Sequence, residues 1–293
     1  MDGKHMGQVW RSMMLVATVM WAGVAARTDD VQQAAVDQSF EAVKTAAAAA
    51  GLTEVIQIDH ARLAAAEGVT MPPARVQLFS DPALNAVVLS DNIRAGLDLP
   101  FRVLSFDDRG TSALSYTSSA FLAQRHGLTT ASALVDFDDR LNEVLSQLTV
   151  TSPLAVSTKG VEPDFAVLEI KSKYGVDVSV ERLKQAVTAQ SDTIWFGDID
   201  FQAEAASHNV SLRPARLLLF GGPAPGGVAM AEFPAIGLDA FCQKLLVYEG
   251  EDGNAVLIFN DIAALARLHY GRSIEPHDLL NQRLIATFRG AVE

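Results

Sequence analysis

The chain has 293 residues, 49% of them apolar and 20% charged, enough for about two domains of ordinary size and too apolar for wholesale disorder. With 35 acidic against 23 basic side chains its formal charge is −12, and no basic face follows a phosphate backbone, which excludes nucleic acid as an expected partner. The single cysteine, Cys242, rules out an intrachain disulfide and a cysteine-built metal cage.

The first element in chain order reads as a leader. Lys4 and Arg11 precede an uncharged apolar run, Met13 to Val24, that ends among the small residues Gly23, Ala25 and Ala26. This is the order of a secretory signal peptide, and Val24 and Ala26 place cleavage before Arg27, making residues 1–26 the leader. The run is shorter than the roughly 20 residues a membrane-crossing helix needs, so no stable membrane anchor is expected after cleavage. An uncleaved anchor or a misassigned start codon is the alternative. The mature protein is expected to be acidic and exported, periplasmic or secreted.

The remainder is one unit written twice. Pro73-Ala74-Arg75-Val76-Gln77-Leu78-Phe79 recurs 141 positions later as Pro214-Ala215-Arg216-Leu217-Leu218-Leu219-Phe220, with five of seven residues identical. The same offset carries Asp59 to Asp200, Pro82 to Pro223, and Gly96-Leu97-Asp98 to Gly237-Leu238-Asp239; an offset of 143 carries His126 to His269 and Arg140-Leu141 to Arg283-Leu284. Ordered matches of this kind mark a tandem repeat. The first copy spans 27–148, the second 165–293, and the Pro-, Gly-, Ser- and Thr-bearing stretch 149–164 is the linker.

In the first copy Ser39 is expected to open an alanine-rich helix through Ala50, and Thr28 to Gln33 is too polar to supply an opening strand. The linker segment Leu154 to Thr158 has β character and is expected to fill the vacant sheet edge, because an open edge invites aggregation. In the second copy Ala166 to Lys171 is predicted as a strand and Ser179 as the cap of a helix through about Ala189. Strands follow at Ile194 to Ile199, Ala215 to Phe220, Lys244 to Tyr248 and Ala255 to Phe259, the last two joined through Asp252-Gly253. Asp261 caps a further helix, and a last one runs from about Pro276 to Phe288. The predicted fold is α+β: two tandem strand-helix-four strands-helix units, each a mainly antiparallel sheet covered by helices on one face.

These residues carry a family resemblance. The Pro-Ala-Arg strand, Gly-Leu-Asp-Leu-Pro at 96–100 and Leu-Ala-Gln-Arg-His-Gly at 122–127, with Phe220-Gly221-Gly222-Pro223, Gly237-Leu238-Asp239 and Leu265-Ala266-Arg267-Leu268-His269, resemble the domain of unknown function 302 family. The resemblance implies a fold similar to TATA-binding-protein-like domains and no established reaction. It also implies cysteines in a Cys-x-Pro loop and a Leu-Pro-Cys turn; here Ser80-Asp81-Pro82, Gly221-Gly222-Pro223 and Leu99-Pro100-Phe101 stand at those places, and Cys242 alone corresponds.

The candidate site residues are duplicated titratable groups. His126 and His269 share a helix end, where each is either a ligand or a cap for the last carbonyls. Asp59 and Asp200 close equivalent strands, facing a ligand or capping the next turn; Asp98 and Asp239 invite the same two readings. Gly221 to Gly227 lacks the Gly-Lys-Ser/Thr ending of a phosphate loop and is predicted as a mobile loop. His269, Glu275 and His277 match no metal-binding spacing, Cys242 reads as a core residue, and no nucleophile elbow or dinucleotide fingerprint is present. No catalytic residue, metal or cofactor is expected. The chain is expected to be a non-catalytic binding or interaction protein built as an internal pseudo-dimer, its partner an unidentified small molecule or protein, with homo-oligomerisation left open. The alternative is an enzyme or redox accessory with its site on one repeat.

Overall fold

The structure, a computed structural model, describes residues 30–149 and 153–293; the predicted leader lies outside them. The first unit comprises α1 (30–49), β1 (Thr53–Asp59), α2 (His60–Ala66), β2 (Ala74–Ser80), α3 (Pro82–Asp91), a 3-10 turn at Ile93–Leu97, β3 (Phe101–Asp108), β4 (Thr111–Tyr116), α4 (Ser119–His126) and α5 (Ala131–Leu145). After β5 (Leu154–Ala155), the second comprises β6 (Val167–Lys171), α6 (Val176–Thr188), β7 (Ile194–Asp200), α7 (Phe201–Ser207), β8 (Ala215–Gly221), α8 (Pro223–Met230), a 3-10 turn at Pro234–Gly237, β9 (Gln243–Glu249), β10 (Ala255–Asn260), α9 (Ile262–Tyr270) and α10 (Glu275–Val292).

The sheets run β1-β2-β3-β4-β5 and β6-β10-β9-β8-β7. All pairings are antiparallel except β4 with β5, which is parallel, Ser115 opposite Leu154 and Tyr116 opposite Ala155. The linker therefore does supply the edge that β6 supplies in the second copy, and the Val156 amide donates to the Tyr116 carbonyl at 2.9 Å.

Strand alternation sorts each sheet into two apolar faces. On the outer face of the first, Phe101 packs at a tilt against Phe137 of α5 with ring centroids 4.5 Å apart, and Gln77 donates to the Phe40 carbonyl of α1. Phe259 meets Phe288 of α10 at 4.8 Å on the outer face of the second. The long helices, α1 with α5 and α6 with α10, thus cover one face of each sheet. The inner faces turn toward each other, and one apolar cluster runs through both repeats.

Four local expectations are corrected. Ser39 lies inside α1, bonding to the Ala35 carbonyl and the Ser112 hydroxyl; Val36, Phe40, Val43 and Ala47 already form a buried helical stripe there, so the polar start belongs to the helix. Ser179 lies inside α6 and bonds to Ser172, because the helix starts after Gly175. The run from Gly221 is no mobile loop: Pro223 and Pro225 preset the first turn of α8, and Gly227 lies so close to α2 that a Cβ would stand 2.6 Å from Ala64 Cβ. The four strands of each unit are also interrupted by the short helices α2 and α3, or α7 and α8.

Candidate functional site

The duplicated Gly-Leu-Asp turns are where the repeats meet. A Cβ on Gly96 would stand 2.9 Å from Leu246 Cδ1 of the other repeat, and one on Gly237 would stand 3.2 Å from Leu104 Cδ1. Leu104 and Leu246 hold equivalent places on β3 and β9, so each turn presses its glycine onto the partner sheet. The aspartate that follows is carried into the interface with it.

At the centre the chain of contacts is continuous. His126 Nε2 lies 2.6 Å from Asp98 Oδ2, Arg102 Nη2 lies 2.5 Å from Asp98 Oδ1 and 2.9 Å from Asp239 Oδ1, and His269 Nε2 lies 2.8 Å from Asp239 Oδ2. One guanidinium nitrogen thus bridges the aspartates of both repeats. Arg125 adds two hydrogen bonds to Asp98 and crosses to Asn260, whose amide donates to the Asp239 carbonyl. Burial pushes the Asp98 carboxyl up, but Arg125 and Arg102 hold it well below the usual carboxylate range. Burial likewise opposes ionisation of Asp239, which the His269 hydrogen bond and Arg102 bring down to about 2.

The pseudo-symmetry is broken at the same strand position. Arg102 faces Leu78 as Lys244 faces Leu219, and Leu78 matches Leu219 in the repeat. Lys244 bonds the carbonyls of Leu238, Asp239 and Cys242 instead of a carboxylate. Burial, reinforced by the charge of Arg102, brings its ammonium down to about 8. Arg102 Nε and Nη1 are buried without a partner among the described residues.

Two clefts flank this centre on opposite sides of the pseudo-dyad. The first, of about 710 Å³, is lined by Phe106, Asp107, Ala155, Val156, Ala235, Leu268, His269 and Tyr270 among others. The second, about 470 Å³, is lined by the equivalents Tyr248, Glu249, Glu169 and Arg94, and it contains neither Arg125 nor His126. Arg94 replaces Ala235 in the repeat and Arg125 replaces Leu268. Arg94 reaches Tyr248 Oη at 2.8 Å, Glu169 at 2.7 Å and Asp164 at 2.7 Å, and so closes the inner end. His126 is consequently 0% exposed at its side chain and His269 is 10% exposed. Burial lowers the His126 pKa against the opposing pull of Asp98.

Of the residues proposed from sequence, His126 and His269 belong to this network. Asp59 and Asp200 do not: they cap α2 and α7 through the amides of Arg62 and Ala203, pair with Arg62 and Arg216, and line neither cleft. His277 bonds the Ala229 carbonyl and Ser273, and among the described residues no acidic, histidine and cysteine group is placed to hold a metal ion. Cys242 is buried, and burial pushes its thiol up. Sequence reasoning missed Arg94, Arg102, Arg125, Lys244 and Asn260. The legible signal for two of them was a cation shortly after each Gly-Leu-Asp, inside an apolar strand.

An α+β pseudo-dimer joined through duplicated Gly-Leu-Asp turns is the class of protein this geometry defines. The model described as "Domain of unknown function DUF302" matches residues 28–148 and again 168–287, and the chain belongs to that family. It is similar to the uncharacterized conserved protein DUF302 from Bacillus stearothermophilus, at 15% identity and a TM-score of 0.37 over 43% of this chain and 98% of that one. Stretches of 94 residues are 34% identical to the fluoride-specific ion channels FluC 1 of Brucella suis biovar 1 and Brucella abortus biovar 1, covering 32% of this chain and 37% and 35% of theirs. The chain thus spans about a third of the length of those curated relatives. No helix among the described residues is long and apolar enough to cross a membrane.

Proposed function

We propose that this chain is an exported, non-catalytic binding protein that takes one small amphipathic molecule in the cleft beside His269. The observation that carries the reading is the inequality of two clefts built from equivalent elements. Where the second has Tyr248, Glu169 and Arg94 in its lining and Arg125 fully buried outside it, the first is lined by Phe106, Leu154, Ala235 and Leu268. Its volume of about 710 Å³ falls in the range of small-molecule sites. Apolar side chains beside the charged Asp108, Arg109, Glu232 and Arg272 suit an amphipathic ligand whose hydrocarbon body lies along Phe106, Val156 and Leu268 and whose polar end meets His269 and those charges. Asp239 holds His269 Nε2, leaving Nδ1 as the nitrogen for the ligand.

Native mass spectrometry of the full chain purified from its producing cell tests this directly. A bound small molecule is expected, lost on Ala235→Trp, which fills the cleft, and weakened in His269→Gln. Identical adducts in all three proteins, or no adduct in any, would refute the reading. The same spectrum reads export, which rests on residues 4 to 26: the expected N-terminus is Arg27, and a retained Met1 on cytosolic protein overturns it.

The second reading, an enzyme or redox accessory with its site on one repeat, is favoured by the Asp239 and His269 pair, since a carboxylate that fixes an imidazole orients a general base. Cys242 adds nothing to it, because burial disfavours the thiolate that chemistry would need. Turnover of the recovered molecule during incubation would favour this reading over simple binding.

A further inference from the structure

We infer that the chain retains a second copy of the same binding site, closed by its own Arg94, and that this residue sets the number of open sites at one. The inference rests on the reading of the His269 cleft as a ligand site and extends it to the other side of the pseudo-dyad. Every part of the open site has a counterpart in the closed one: Asp98 for Asp239, His126 for His269, Tyr248 for Phe106 and the β6 edge for β5. Both histidines are held through Nε2 by an aspartate of their own repeat.

What differs is the occupant. Arg94 enters the space that Ala235 leaves empty on the other side, and its guanidinium is tied down by three acceptors from the second repeat and the linker, Tyr248, Glu169 and Asp164. The turn at Asp164 to Ala166 completes the cover, as the Arg125 side chain bonds the Phe165 and Ala166 carbonyls and its own carbonyl accepts from the Asp164 amide. Behind it, His126 Nδ1 is buried and has no hydrogen-bond partner among the described residues. An imidazole fixed by a carboxylate, with its second nitrogen unmatched and a side chain lodged where a ligand would lie, is the arrangement of an occupied site whose occupant belongs to the chain.

The partners of Arg94 hold it from the exposed side. Asp164 and Glu169 are 60% and 39% exposed at their side chains, so removing the guanidinium leaves no buried carboxylate unpaired, and Arg94→Ala is expected to fold.

Carbethoxylation by diethyl pyrocarbonate, mapped by peptide mass spectrometry on the full chain, reads both sites without any knowledge of the ligand. In the unaltered protein His269 is expected to react and His126 to be protected. In Arg94→Ala the His126 rate is expected to rise by about tenfold or more, as labelling that required local opening becomes direct, with His269 unchanged. The reciprocal Ala235→Arg is expected to protect His269. Equal reactivity of the two histidines in the unaltered chain, or continued protection of His126 in folded Arg94→Ala, overturns the inference. Should Arg94→Ala not fold, an undiminished His269 rate in Ala235→Arg overturns it and a protected His269 supports it. Failure of the ligand reading is distinguishable: it would show as absent adducts in native mass spectra while the labelling pattern stands.

Discussion

Lys244→Met is the most exacting test of the charged centre. Burial and the neighbouring Arg102 bring the Lys244 ammonium from its ordinary 10.5 to about 8 in the folded chain. Between those two pH values the unfolded chain holds a proton that the folded chain has released, so this group makes stability rise with pH across the window and adds nothing further above it. The gap, at about 1.4 kcal/mol per pH unit, is worth about 3 kcal/mol. Below pH 8 that amount is a standing cost of the charged amine. The methionine variant escapes the cost but leaves the Leu238, Asp239 and Cys242 carbonyls without their donor, a loss of about 1 kcal/mol each. The two terms nearly cancel at neutral pH. Urea unfolding of both proteins from about pH 7 to about pH 11 should therefore give similar stabilities at the low end and a gap opening in favour of the unaltered chain toward the high end. The raised Cys242 thiol works in the opposite direction in both proteins and largely drops out of their difference. Parallel stability curves would refute the placement of a titrating lysine in the core.

The two histidines should separate in thermal melts: His126→Gln removes a buried hydrogen bond to a carboxylate and should cost about 1 to 3 kcal/mol, whereas His269→Gln, at the cleft wall, should cost less and act on ligand retention. Equal losses in both would contradict the difference in burial. Gly96→Ala should cost about 1 to 3 kcal/mol in denaturant unfolding, since the new methyl meets Leu246 of the other repeat at 2.9 Å; a neutral variant would show that the repeats do not meet there. In amide exchange Val156, bonded to Tyr116, should be slower than Lys159, and equal rates would remove β5 from the sheet.

How much of this was legible from the residues follows from range. Strands β6, β8 and β10 and helix α9 were visible because alternation, or the Asp261 cap, is written within a few residues, and the repeat supplied a second reading. The short helices were not: α8 carries two prolines and two glycines, and its place is decided by Ala64 and Val69, more than 150 positions away. The same limit governs the site. His126 and His269 were found as a duplicated titratable pair, and the two orientations proposed for them, ligand or helix cap, leave out what they do in the structure, which is to bond aspartates from turns 28 and 30 residues earlier. Asp59 and Asp200 show the converse, since their cap bonds are to amides three residues away. Arg94 was invisible as a plug because its meaning lies in a comparison with Ala235 at the level of clefts.

The bridge made by Arg102 has a consequence for why two units share one chain. In a homodimer of identical subunits, whatever stands beside the two-fold axis stands there twice. Two arginines at the Arg102 position would bring two guanidinium charges into one buried space, with only the two aspartates to divide between them. Covalent duplication lifts that constraint, because each half is free to change alone. Here one half keeps the guanidinium and hands it both carboxylates, while the other holds a smaller amine turned back onto its own carbonyls. The same freedom let an arginine enter one cleft where the other has an alanine. The duplicated geometry is thus a scaffold with a left and a right, whose two equivalent recesses differ in volume and lining.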